Sequence, residues 1–154
     1  MEFKQMNGLP TELQEQVQWL VDREAIRELV SAYTRCVDER DFAGWQDLFA
    51  EDGVFIAPKG RVPKKDMADA VADILKDYPL TCHMLGQHSI EIDGDVGKGR
   101  CYFAAFHGLD TGDLMRHADI GGWYLHTYKR TAGGWKFLKV GARIMWASGE
   151  KFLP

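Results

Sequence analysis

Apolar residues recur at helical spacing through the first half of the chain and at strand-like spacing through the second. Pro10 and Thr11, followed by Leu13, Val17 and Leu20, predict a helix that starts near residue 10. Asp22 is placed to cap a second helix, in which Ile26, Leu29, Val30, Tyr33 and Val37 form one apolar stripe. A short third helix is expected over 42–50, with Phe42, Trp45, Leu48 and Phe49 inward. The stretch "EDGVFIAP" then reads as a turn and a short strand stopped by Pro58. Residues 64–76 return to the helical period, with Met67, Ala70, Val71 and Ile74 on one side.

After that the period changes. "HSIEIDGDVGKGRCYFAAFH" holds two strand-like runs about a DGD turn, the usual chemistry of a hairpin. "GGWYLHTYKRTAGGWKFLKVGARIMW" holds two more, joined by a glycine-rich turn at 131–134. Helices segregated in sequence from an antiparallel meander predict an α+β fold rather than a parallel βαβ one. Gly97, Gly99, Gly121, Gly122 and Gly141 supply the bulges and bends of a strongly curled sheet. Such a sheet, closed at one end by helices, makes a cone with an apolar interior. With no repeat, linker or low-complexity stretch, residues 1–154 read as a single domain.

Composition narrows the function. A chain of 154 residues with 45% apolar content can bury a sizeable core, and a net charge of −4 removes the electrostatic case for nucleic acid. No run of eighteen apolar residues is present to span a membrane, and "MEFKQMNGLP" lacks a signal-peptide layout, so a cytoplasmic location is expected. Cys36, Cys82 and Cys101 are odd in number and widely spaced, which predicts buried free thiols. The aromatic content of 12% suits either a core or an apolar ligand pocket.

The candidate chemistry centres on "YTRCVDERD", which puts Asp38 at the C-terminal end of the long helix. Backbone carbonyls already concentrate negative charge there, so Asp38 reads either as a solvated turn acid or as a buried site carboxyl, whose pKa the helix dipole and burial would raise. His83 lies among apolar neighbours in "TCHMLGQH", and His88, five residues on, should point to the opposite face of a strand. The remaining histidines, His107, His117 and His126, are too scattered to suggest a metal site. Tyr33 lies on the buried stripe, where its hydroxyl serves either the core or a pocket. Arg143, in "GARIMW", reads as a buried arginine with an anionic partner, either a structural acid or a substrate carboxylate. The glycines of "GDVGKGR" open a strand rather than a helix, so they are not a phosphate loop.

Three blocks, "DREAIRELVSAYTRCVDERDFAGWQDLFAEDGVF", "HMLGQHSIEIDGDVGKGRCYF" and "GGWYLHTYKRTAGGWKFLKVGARI", resemble the SnoaL-like branch of the nuclear transport factor 2-like superfamily. They cover most of residues 22–146 in the family's order, and they imply the cone-shaped, cystatin-like α+β barrel. Within the branch the resemblance is to cofactor-free lyases: bile-acid 7α-dehydratase, scytalone dehydratase and hexachlorocyclohexane dehydrochlorinase. It implies a general-base pair of His83 and Asp38, with Tyr33 and Arg143 as further site residues. A further strand acid of the bile-acid enzyme is replaced here, with Ala105 near its place, while His107 falls close to a second histidine of scytalone dehydratase. The resemblance therefore implies a dehydratase-type elimination on a small, hydrophobic, cyclic or polycyclic hydroxyketone, without cofactor or metal. A double-bond isomerase of the ketosteroid-isomerase kind and a non-catalytic binding subunit are the alternatives. Related folds associate through the open sheet face, which implies a homo-oligomer, a dimer or trimer.

Overall fold

The computed structural model describes residues 10–150. Three helices, α1 (Leu13–Asp38), α2 (Phe42–Asp47) and α3 (Met67–Leu75), cover one face of a six-stranded sheet. Its strands are β1 (Phe49–Ala57), β2 (Gly60–Pro63), β3 (Leu80–Asp93), β4 (Val96–Gly108), β5 (Ala118–Thr131) and β6 (Gly134–Gly149). They lie in the order β2-β1-β6-β5-β4-β3, every neighbouring pair antiparallel except β1 with β6. The sheet is curled but not closed, and α1 packs inside the curl against β3 and β6. This is the expected α+β cone. The DGD hairpin is also as expected: Asp93 pairs with Val96 across a two-residue turn in which Gly94 takes a φ of 57°.

The alternation of strands and the helical stripe meet in one core. Ile26, Val30, Tyr33 and Val37 of α1 face Phe103, Ala105, Tyr124, Tyr128, Phe137 and Val140 from β4, β5 and β6. The third helical stripe is Met67, Val71 and Leu75, spaced by four; Ile74, expected inward, falls at the exposed edge.

Several elements differ from the expectation. α1 is a single helix of 26 residues, not two, because nothing near Asp22 breaks it and an aspartate costs a helix interior only a few tenths of a kcal/mol. β2 was not foreseen, and β3 starts at Leu80, so His83 lies within the first long strand rather than before it. Cys101 is buried and Cys36 half-buried, but Cys82 is exposed, since it alternates with the inward Thr81 and His83. His88 faces the same side as His83. The pairing of β3 with β4 slips between Leu85 and His88, and the extra residue of this bulge reverses the alternation.

Asp22 is a tertiary anchor rather than a cap. Arg130 of β5 donates to both of its oxygens at 2.7 Å, Trp135 Nε1 of β6 donates at 3.0 Å, and the guanidinium stacks over the Trp135 ring at 4.5 Å. The Arg130 bonds are the main reason this carboxyl is held below its usual pKa, against the opposing effect of burial. A depressed folded-state pKa means stability that is full above the unfolded value near 4 and is lost as pH falls through the folded value. Asp22→Asn, which loses charged hydrogen bonds to Arg130, should cost about 2 kcal/mol at pH 7. In urea titrations it should also flatten the fall in stability between about pH 5 and pH 3. Equal stability for the two proteins at pH 7 would rule this anchor out.

Candidate active site

The site forms where the C-terminus of α1 meets the start of β3. Asp38 is the last residue of α1, and the chain leaves it through two backbone bonds, Arg40 N to Val37 O and Asp41 N to Cys36 O. This is a Schellman motif, which needs its turning residue in the left-handed region. Arg40 occupies that position at a φ of 63°, the one non-glycine residue at positive φ among those described.

Asp38 accepts three hydrogen bonds from β3. Thr81 Oγ1 donates to Oδ1 at 2.8 Å, the His83 backbone N–H donates to Oδ2 at 2.9 Å, and His83 Nδ1 lies 2.7 Å from Oδ1. Burial is the largest single influence and opposes ionisation, but the bonds from the His83 ring, its backbone and Thr81 together prevail. The net effect is a carboxyl held below its ordinary pKa. This corrects the expectation of a raised value. The carbonyl end of the helix is present, but three donors aimed at one carboxylate outweigh it. An ionised carboxylate only accepts, so Nδ1 of His83 carries a ring proton, and in the neutral imidazole Nε2 is then the nitrogen with the lone pair.

His107 of β4 joins this pair. It is buried, with its ring edge-on to His83 at 5.6 Å and to Tyr78 at 5.1 Å. Burial first, and the neighbouring His83 second, depress its pKa and keep it neutral. Ala105 pairs directly with His83 across the β3–β4 ladder. Deeper in the cone Phe103 stacks on Tyr124 at 4.2 Å, and Tyr124 lies within electrostatic reach of Asp38.

Two expected site residues do not join them. Arg143 is exposed on the outer face of the sheet, its guanidinium 5.4 Å from the ring of Trp123, which it opposes in register. The apolar flanks that suggested burial are themselves exposed: Ile144 at 46% and Met145 at 52%. Tyr33 lies in the core, edge-on to Trp45, Tyr124 and Phe137, and burial raises its phenol well above the ordinary range.

The sequence reading missed other groups. Arg40 and Thr81 carried no motif; only the φ of Arg40 reveals it. His126, read as scattered, and His88, read as facing away from His83, are joined through Tyr128, whose hydroxyl lies 3.0 Å from His88 Nε2 and 2.8 Å from His126 Nδ1. Burial depresses both imidazoles, to about 4 and about 3, so this cluster is uncharged at neutral pH. Gly99 makes room for it, since a Cβ there would lie 2.6 Å from the Tyr128 hydroxyl. Among the described residues no group of three or more His, Cys, Asp or Glu is arranged to hold a metal, and no helix is long and apolar enough to cross a membrane.

Fold and site together define a SnoaL-like domain: that family's model matches residues 18–140, and the chain belongs to it. An uncharacterised Mycobacterium tuberculosis protein, Rv2910c, is 28% identical over 125 residues, covering 77% of this chain and 82% of its own. Among solved structures, a proposed scytalone dehydratase from Novosphingobium aromaticivorans superposes with a TM-score of 0.77 at 20% identity, covering 87% of this chain and 91% of its own. Hexachlorocyclohexane dehydrochlorinase LinA-type3 from Novosphingobium barchaimii superposes with a TM-score of 0.76 at 20% identity, covering 89% and 95%. At such identities these likenesses describe the fold.

Proposed function

We propose that the protein is a cofactor-free lyase of the dehydratase type, with His83 as general base and Asp38 as the group that orients it. The observation that carries this reading is the 2.7 Å contact between Asp38 Oδ1 and His83 Nδ1, with the ring of a second histidine, His107, 5.6 Å from that of His83. In the elimination, His83 Nε2 takes a proton from the carbon next to a carbonyl, and the electron pair passes into the enolate. As the enolate collapses to a conjugated double bond, the bond to the hydroxyl on the adjacent carbon breaks, and the proton held on His83 Nε2 passes to the departing oxygen, so that water leaves and the imidazole is neutral again. Asp38 stabilises the imidazolium that forms, as the carboxylate of a catalytic triad does. His107 hydrogen-bonds the departing oxygen, a role that falls to it rather than to Tyr33, which is packed in the core. The aromatic neighbours Tyr78, Phe103 and Tyr124 suit a small, hydrophobic, cyclic or polycyclic hydroxyketone. The names of the dehydratase and dehydrochlorinase among the structural neighbours point the same way.

Screening such hydroxyketones for a rise in enone absorbance tests the reading. Asp38→Asn should lower turnover by about 10⁴, as the equivalent change does in a serine protease triad, because an amide supports the wrong tautomer. It should also lose about 1–2 kcal/mol of stability, since the amide nitrogen is forced against one of three donors. A variant that keeps more than about a tenth of the wild-type rate, a loss under about 1.4 kcal/mol, would remove Asp38 from the mechanism.

The same proposal includes a homo-oligomer built through the outer sheet face. Met84, Tyr102, Met145 and Trp146 are exposed there, and Tyr102, Trp123, Met145 and Trp146 line a cleft of about 250 Å³. Light scattering at micromolar concentration should give a dimer or trimer. A mass near 17.5 kDa would exclude it.

A further inference from the structure

We propose that Arg40 is a positioning residue for the His83–Asp38 pair, acting through the Thr81 hydroxyl; the catalytic part of this inference rests on the function proposed above. A guanidinium only donates. Arg40 Nη1 donates to Thr81 Oγ1 at 2.9 Å, so the single proton of that hydroxyl is free to go to one acceptor, and Asp38 Oδ1 lies 2.8 Å away. Arg40 thus sets the direction of the Thr81–Asp38 bond. With the guanidinium on one lone pair, the hydroxyl proton points away from Arg40 and presents a donor to the same oxygen that binds His83 Nδ1.

The rest of the Arg40 side chain makes the arrangement rigid. Nη1 also donates to Val37 O at 3.0 Å, and Nη2 donates to Tyr78 O, so one guanidinium ties the last turn of α1 to the residues that lead into β3. Glycine is the residue that favours a φ of 63°, yet this chain places arginine there. A left-handed non-glycine residue persists where its surroundings over-determine it, and here the surroundings are three acceptors reached only by a long side chain. The cation also donates to a carbonyl of the last turn of α1, an end of the helix where positive charge is favourable.

The inference makes Arg40 necessary for the tautomer of His83, a property that a role confined to closing the helix would not affect. Uniformly ¹⁵N-histidine-labelled protein at neutral pH reports that tautomer directly, with no substrate. Wild type should show His83 in the Nδ1–H form alone, with a hydrogen-bonded ring N–H signal protected from exchange. Arg40→Gly suits the backbone but removes the guanidinium, and should give a mixture of tautomers and loss of that signal. Thr81→Val should give the same spectrum, and the double variant should be no worse than either single one, since both changes break one chain of bonds. Arg40→Lys, which still offers a donor to Thr81, should restore the Nδ1–H form in part.

With a turned-over substrate in hand, kcat should fall at least tenfold in Arg40→Gly while KM changes less. A folded Arg40→Gly protein, or a folded Thr81→Val protein should the first not fold, that keeps the pure Nδ1–H form would overturn the inference. The two readings fail separately. Loss of the tautomer in a protein with no lyase activity counts against the function and for the positioning role, and an intact tautomer with full lyase activity counts against the positioning role alone.

Discussion

The Asp38 carboxylate is the point on which the arrangement turns. It ends the longest helix and accepts from three donors of the neighbouring strand, so it joins the interior helix to the sheet and sets the state of His83 in one set of bonds. Burying a carboxylate at the carbonyl end of a helix is unfavourable in isolation. Here the cost is offset by a backbone N–H, a hydroxyl whose direction is imposed by Arg40, and a ring N–H. Remove any one of these and the half-buried carboxylate is left with an incomplete shell.

The sheet's own geometry decides what else can reach this carboxylate. Period-two alternation turns Thr81, His83, Ala105 and His107 inward at one level of the cone, and it turns Arg143 outward. The bulge after Leu85 then restores the inward direction for His88, which would otherwise face solvent. Two polar levels result, separated by the stacked Phe103 and Tyr124: one holds a carboxylate and two histidines, the other two neutral histidines about a tyrosine.

Much of this was legible in the chain. The switch from helical to alternating period gave the α+β class, and glycine-containing turns located both hairpins, because these signals depend only on local chemistry. The pairing of Asp38 with His83 was different, since 45 residues separate them and no spacing rule connects a helix end to a strand; the family resemblance brought them together. Arg143 misled because apolar neighbours imply burial only when the strand has a partner on both faces. Asp22 misled because its helix-capping chemistry is local while its actual partners, Arg130 and Trp135, are more than a hundred residues away. Arg40 was invisible because a left-handed arginine has no sequence signature.

The central claim is that His83 abstracts a proton from carbon. Its most direct measurement is deuterium incorporation, followed by proton NMR in D₂O, into the α-position of a cyclic ketone that lacks a leaving group. Such a compound reports proton transfer apart from elimination. The account predicts exchange well above the buffer rate with the wild-type protein, and a return to the buffer rate with His83→Ala and with Asp38→Asn. Exchange that persists undiminished in His83→Ala would contradict it.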